Sequence, residues 1–220
     1  LLTLVRADLL SAWRDTVPPD APNRFVINLQ PDQQQDFLAF FRDAGQPEPD
    51  LMPMIRGRLM AINGQAVAPE GYADDRARRL AEREFNLSYS TDLPLGNVLD
   101  EGRWHGADGP AFSVEAGVAK SLGVSVGDTV TFDVAGQQVT APVTSQRSLR
   151  WDSMRVNFFF LASPGVLDQF PASLITSFYL PREAQEFSLA LIRAFPNISV
   201  IDVGAVMGQV EAMIDKLITI

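Results

Sequence analysis

The chain has 220 residues, is 46% apolar and carries a formal charge of −9, from 16 Arg and 2 Lys against 27 acidic residues. That length holds one large domain or two small ones with ample core. The acidic balance disfavours nucleic acid, whose phosphates demand a basic surface, and flat adsorption on anionic lipid. No uncharged apolar run reaches the roughly 18 residues that span a bilayer. Leu1 is neither an initiator Met nor the start of a signal peptide, so the chain reads as a segment of a longer protein. The absence of cysteine fits an extracytoplasmic domain without requiring one.

Leu2, Val5, Leu9, Ala12 and Trp13 form a helical stripe that Pro18-Pro19 ends. Residues 25–45 then read FVINLQPDQQQDFLAFFRDAG: a β-prone run, a proline suited to a first helical turn, and an amphipathic helix with Phe37, Leu38, Phe41 and Ala44 on one face. Asp32 places a carboxylate at the positive end of the helix dipole, and Gly45 is a C-cap. Residues 52–62 read as the next strand. Residues 72–85 form a charged helix with Asp74/Arg78 and Asp75/Arg79 four apart, a solvated face.

FNLSYS follows as a strand, and from residue 98 short strands alternate with Gly-rich turns. Ser113-Val114-Glu115 opens a short helix through Leu122, capped by Gly123. Residues 129–134 and 137–143 make a hairpin around Ala135-Gly136, and residues 156–161, with Phe158-Phe159-Phe160, read as a buried strand.

Residues 178–195, FYLPREAQEFSLALIRAF, repeat the strand–proline–helix unit, with Pro181 for Pro31 and Glu183 as the acidic first turn. A strand at 198–203 follows. Val206, Val210, Met213, Leu217 and Ile220 then step by four and three, a coiled-coil seam. The expected fold class is α+β: a split β-α-β platform from residues 1–87 and 171–220, with terminal stalk helices, interrupted by an inserted β-rich subdomain at 88–170.

Chemistry is scarce. The single histidine, His105, sits in a loop; there is no Cys nucleophile, no Ser elbow, no metal spacing and no phosphate-binding glycine loop. Asp74-Asp75 and Asp100-Glu101 are adjacent carboxylates without a companion base. No catalytic, cofactor-binding or metal residue is assigned, and no cofactor is expected.

One motif carries more. Ser113, Ala116 or Ala119, Leu122, Gly123, Val126, Gly127 and Asp128 stand in the pattern S-x-x-x-A-x-x-L-G-v-x-v-G-D-x-v. Together with the split repeat, it resembles the extracytoplasmic domain of ABC transporter permeases of the MacB/FtsX-like class. FNLSYSTDLPLGNVLDEGRW and the opening LLTLVRADLLSAWRDTVPPDAPNRFVINLQPDQ look closest to the YbbP-like branch.

The resemblance implies an inner-membrane protein with this segment in the periplasm, built as a Porter-like platform with a Sabre-like lobe. It implies mechanical transmission, in which ATP hydrolysis on a separate cytoplasmic ABC subunit, coupled through membrane helices, reshapes the periplasmic domain. Pro94, Gly96 and Pro171 are candidate hinge residues between platform and lobe. A periplasmic esterase or thioesterase, a hydrophobic or lipid-like cargo and a second permease copy are the candidate partners; nucleic acid is not expected. The alternatives are a stand-alone periplasmic enzyme using His105 and a soluble assembly or adaptor module.

Overall fold

The computed structural model describes residues 18–150, 153–206 and 209. In chain order the elements are β1 (Arg24–Leu29), α1 (Gln34–Asp43), β2 (Met52–Ile62), β3 (Gln65–Ala66), α2 (Asp75–Glu82), β4 (Phe85–Tyr89), β5 (Asn97–Gly102) and β6 (Phe112–Glu115). Then come α3 (Ala116–Leu122), β7 (Thr129–Val134), β8 (Gln137–Leu149), β9 (Phe160–Ala162), β10 (Ser173–Phe178), α4 (Gln185–Ala194) and β11 (Ser199–Asp202). The stripe expected over residues 2–13 and the seam expected over 206–220, save 206 and 209, lie outside the described residues. The chain divides into two units: residues 1–50, 151–156 and 175–220, and residues 51–150 and 157–174. The second unit takes in residues 51–87, which the sequence reading set with the terminal segments.

In the first unit the repeated motif occurs twice. After β1, Pro31 opens a single 3₁₀ turn that runs into α1; Gln33 Oε1 accepts the Gln30 N–H at 3.1 Å and the Gln30 carbonyl accepts the Gln33 N–H at 3.0 Å. In the second copy the proline stands one place earlier: Pro181, with extended ψ, precedes the turn Arg182–Ala184 that leads into α4. Its fixed φ suits that position as well as the first helical one. β1 lies between β11 and β10, antiparallel to β11 with Arg24 opposite Asp202 and Ile27 opposite Ser199.

The helices contribute a phenylalanine cluster to this unit's core. Ring centroids lie 5.1 Å apart for Phe37 and Phe41, 5.4 Å for Phe37 and Phe195, 4.9 Å for Phe41 and Phe178, and 4.8 Å for Phe41 and Phe187. Tilted and edge-on pairs at such spacings add about 0.5–1.5 kcal/mol each beyond area burial.

Side-chain amides stitch the two copies together. Asn23 donates from Nδ2 to the Leu180 carbonyl at 2.9 Å and accepts the Leu180 N–H at 2.8 Å. Asn197 Nδ2 donates to the Asn28 carbonyl and to Gln33 Oε1, each at 2.9 Å, and Asn197 Oδ1 accepts from Gln33 Nε2 at 2.8 Å. Asn28 Nδ2 returns a bond to the Asn197 carbonyl at 2.9 Å. Replacing Asn197 by Ala is expected to cost about 1 kcal/mol, the usual net worth of hydrogen bonds open to water. It should show as a lower urea midpoint at constant slope. An unmoved midpoint would mean that water replaces the clasp without loss.

The second unit is a closed barrel. β2 pairs with β4, β4 with β9, β9 with β6, β6 with β8, β8 with β7, and β7 with β2, so six strands return on themselves. The length of β8 makes this possible. Residues 137–142 pair with β7, residues 143–147 with β6, and residues 145–149 with β5 on the side that β7 has left. Closure removes open edges from the six strands, while β5 remains attached by one side. Phe85, Phe112, Phe132 and Phe160 fill the interior with Leu87, Val114 and Val130, all fully buried.

The hairpin expected at Ala135-Gly136 is present, both residues taking the positive φ values (52° and 82°) that a type I′ turn requires. Its second strand runs on to Leu149, past the expected end at 143. Two expectations are corrected. Residues 113–115 belong to β6 and the helix starts at Ala116, because the Glu115 carboxylate accepts the Gly117 and Val118 N–H groups at 2.9 and 2.8 Å and so caps it from outside. The strand expected over 156–161 is β9, shorter and shifted, and its phenylalanines are buried or half-buried as expected.

Candidate functional site: a buried polar row on the barrel wall

Strand alternation turns Phe112 and Val114 into the barrel, where Phe112 meets Phe132 at 5.3 Å. Their neighbours Ser113 and Glu115 therefore face outward. In the parallel pairing of β6 with β8, Ser113 stands opposite Ser145 and Glu115 opposite Arg147. All four are buried, Arg147 completely. A charged side chain that deep must be compensated by partners.

Arg147 donates from its two terminal nitrogens to the Phe158 and Phe159 carbonyls, the second at 3.3 Å. Phe159 O also accepts the Glu115 N–H at 2.8 Å. Burial pulls the guanidinium pKa down to about 9, against the opposing pull of the Glu115 charge, so at neutral pH it remains protonated. The pair thus ties three stretches of chain together: β8, the start of α3, and the segment entering β9.

His105, weighed from sequence as a catalytic group, is near enough to Arg147 to feel its charge. It is 5% exposed, its Nε2 meets the Ser90 carbonyl at 2.9 Å, and its ring stacks on Trp104 at 4.0 Å between centroids. Burial lowers its pKa, the Ser90 hydrogen bond works the other way, and the Arg147 charge lowers it further. A histidine held neutral by the fold loses stabilising power in acid. The unfolded chain takes up a proton near pH 6.5, above the folded value, so its contribution is complete above 6.5 and is lost as pH falls towards that lower value. The loss is at most about 1.4 kcal/mol per pH unit. His105→Gln is expected to flatten the stability curve between pH 7 and 5, read as the urea midpoint of variant and parent at each pH. Parallel curves would show that His105 protonates equally in both states.

Ser88 Oγ, Ser113 Oγ, Ser145 Oγ, His105 Nδ1 and Arg147 Nε make no hydrogen bond to the protein. The arrangement does not assemble a nucleophile with a base: the one ring nitrogen of His105 that is bonded is bonded to a backbone carbonyl. Among the described residues no group of three His, Cys, Asp or Glu could hold a metal ion.

The carboxylate pairs singled out in the sequence stand apart from the row. Asp74 caps α2, accepting the Ala77 N–H at 3.0 Å, and Asp75 meets Arg78 at 3.5 Å, one residue closer than the expected four-residue spacing. Asp100 accepts a hydrogen bond from Ser148. The LGVSVGD stretch is architectural. Gly123, with φ 75°, ends α3, and Asp128 accepts the Ser125 N–H at 2.8 Å and Asn63 Nδ2 at 2.9 Å, bonds that hold its pKa below the usual value. Gly96 and Pro94 form the turn into β5, the Gly96 carbonyl accepting the Arg150 N–H at 2.8 Å.

Sequence reasoning missed Glu115 and Arg147. No period marks them: the register shift between Phe112 and Ser113 leaves Val143 on the inner face with Phe112 and puts Ser145 and Arg147 on the outer face with Ser113 and Glu115. In the first unit a cleft of about 620 Å³ is lined by Asn23, Tyr179, Arg182, Glu183 and the ion pair of buried Arg24 with Asp202, at 3.1 Å.

The buried charges of the barrel wall serve packing and capping, and the Gly-Asp motif shapes turns. By sequence the chain is similar over almost all of its length to a stretch of an ABC transporter permease. The relative is the uncharacterized ABC transporter permease YbbP of Escherichia coli (strain K12), 38% identical over 210 residues, which cover 96% of this chain. The chain spans 25% of that protein's length. At that identity over that length the two are homologous, and the resemblance to the YbbP-like branch of the permeases stands. Among solved structures the periplasmic region of MacB from Actinobacillus actinomycetemcomitans covers 90% of this chain and 95% of its own, with a TM-score of 0.45 and 10% identity, a likeness too distant to carry an argument. No protein-family model matches. No helix among the described residues is long and apolar enough to cross a membrane.

Proposed function

We propose that this chain is the periplasmic domain of an inner-membrane ABC transporter permease and that it relays conformational change driven by ATP hydrolysis on a separate cytoplasmic subunit. The observation that carries the reading is the 38% identity to a permease over 96% of the chain. The placement of buried charge supports it: Arg147 and Glu115 stiffen a β-barrel instead of forming a reaction centre. In this reading the unit built from both chain ends is the platform and the barrel unit is the lobe; Pro171 stands three residues before one crossing, whereas Pro94 and Gly96, expected as hinges, fall within the lobe in the turn into β5. The expected partners are the ATPase, a second permease copy, a periplasmic esterase or thioesterase and a hydrophobic cargo.

The test uses the full permease with its ATPase in lipid nanodiscs, followed by hydrogen exchange. Nucleotide is expected to change exchange in residues 18–50 and 175–206; identical exchange with and without ATP, while ATP is being hydrolysed, would sink the proposal. Cargo is tested separately with fluorescent fatty acyl probes on the same assembly. Absence of saturable binding would remove the lipid-like cargo and leave the relay standing.

A further inference from the structure

β5 is exposed in a way that the barrel does not need. Among the described residues it ends the order of paired strands in its unit, joined through one edge to β8, and all of its residues but Asn97 are exposed. Val98 and Leu99 point to opposite faces by strand alternation, yet they are 44% and 36% exposed, and Leu95 just before them is 64% exposed. A free backbone edge beside exposed apolar side chains is a template for another extended chain, which folds normally avoid. Here it is kept, with carboxylates on it: Asp100 and Glu101 on the strand and Asp92 ahead of it, all exposed. The nearby cations are Arg147, opposite Leu99 but fully buried, Arg103, 4.0 Å from Asp108, and Arg150, beyond the far end of the paired strand.

We propose that β5 is a docking edge for an extended segment of a partner protein carrying alternating apolar and basic side chains. The segment adds to the sheet as a further strand. Apolar side chains of the partner cover Val98, Leu99 and Leu95, and its cations meet Asp100 and Glu101. The charge selects against a second copy of this chain, because pairing two β5 strands gathers four carboxylates at one seam. The proposal does not depend on the transport reading; an adaptor would use the same edge.

The probe is an eight-residue peptide of alternating Arg and Val, with a Glu/Val peptide and a proline-interrupted Arg/Val peptide as controls, titrated into the chain by calorimetry. Amide exchange is followed at residues 95–102. Expected are saturable binding of the Arg/Val peptide alone, protection confined to β5 and its flanks, and at least ten-fold weakening by V98K/L99K. The double variant D100K/E101K is expected to transfer the preference to the Glu/Val peptide. Because these positions are exposed, thermal unfolding of both variants serves as a control for folding. Absence of saturable binding, affinity unchanged by V98K/L99K in a folded variant, or protection elsewhere overturns the proposal. A chain that instead dimerises through β5, with dimerisation lost in V98K/L99K, also overturns it, by making a second copy the occupant.

Discussion

Replacing Arg147 with methionine is expected to destabilise the chain by about 1–3 kcal/mol, the cost of leaving buried backbone acceptors without their charged donor. The methionine keeps much of the side-chain volume, so the loss is electrostatic and not a cavity. The Phe158 and Phe159 carbonyls lose their guanidinium donors, and the Glu115 carboxylate loses the positive charge opposite it while staying buried. The second variant distinguishes the mechanisms. Glu115→Gln placed on top of Arg147→Met should recover part of the stability, because a neutral amide tolerates the site better than an unpaired carboxylate. Recovery will be incomplete: Glu115 also caps α3 through Gly117 and Val118, and the amide caps less well. Urea unfolding of the parent, both single variants and the double variant closes the cycle. A loss below 1 kcal/mol for Arg147→Met, or double-variant losses that simply add, would mean that the two groups do not compensate each other.

The second large effect is expected at Phe132. Its ring lies 5.3 Å from Phe112, 5.0 Å from Phe160 and 6.2 Å from Phe85, and it is fully buried where β7 closes the barrel between β2 and β8. Phe132→Ala should cost about 3–5 kcal/mol, from lost burial plus the cavity left among rings held by a closed sheet. Leu189→Ala, at a position 56% exposed on α4, is the control and should fall within the roughly 0.5 kcal/mol typical of surface changes. Circular dichroism melts of both variants decide the point. Equal, small shifts would show that the barrel interior relaxes around the truncation.

These residues also mark how much was legible in the sequence. The repeated strand–proline–helix unit could be read because its signals are local: β-branched runs, a proline at the strand–helix junction and phenylalanines at helical spacing. The hairpin at Ala135-Gly136 was readable for the same reason. Closure of the barrel was not, because it depends on β8 serving β7 with one half and β6 and β5 with the other, a partition that no window of sequence contains. The start of α3 was misplaced because Ser113 looks like a cap, whereas Glu115 performs that task with both carboxylate oxygens. Arg147 was passed over because an arginine in a strand ordinarily marks the solvent side. Its burial follows from the chain folding back over the outer surface at residues 158–159, an event far from anything its neighbours encode.

The clasp between Asn28 and Asn197 spans 169 positions, and β1 pairs with β11 over a similar distance. A ribosome releases β1 long before it has made β11. During that interval the barrel, whose strands are closer neighbours along the chain, is free to form first. β1, with its Val-Ile-Asn-Leu run, must wait in that interval without β11. Synthesis of this protein therefore has a vulnerable period set by its own layout, and holding β1 out of wrong pairings until the last strand emerges is work for chaperones.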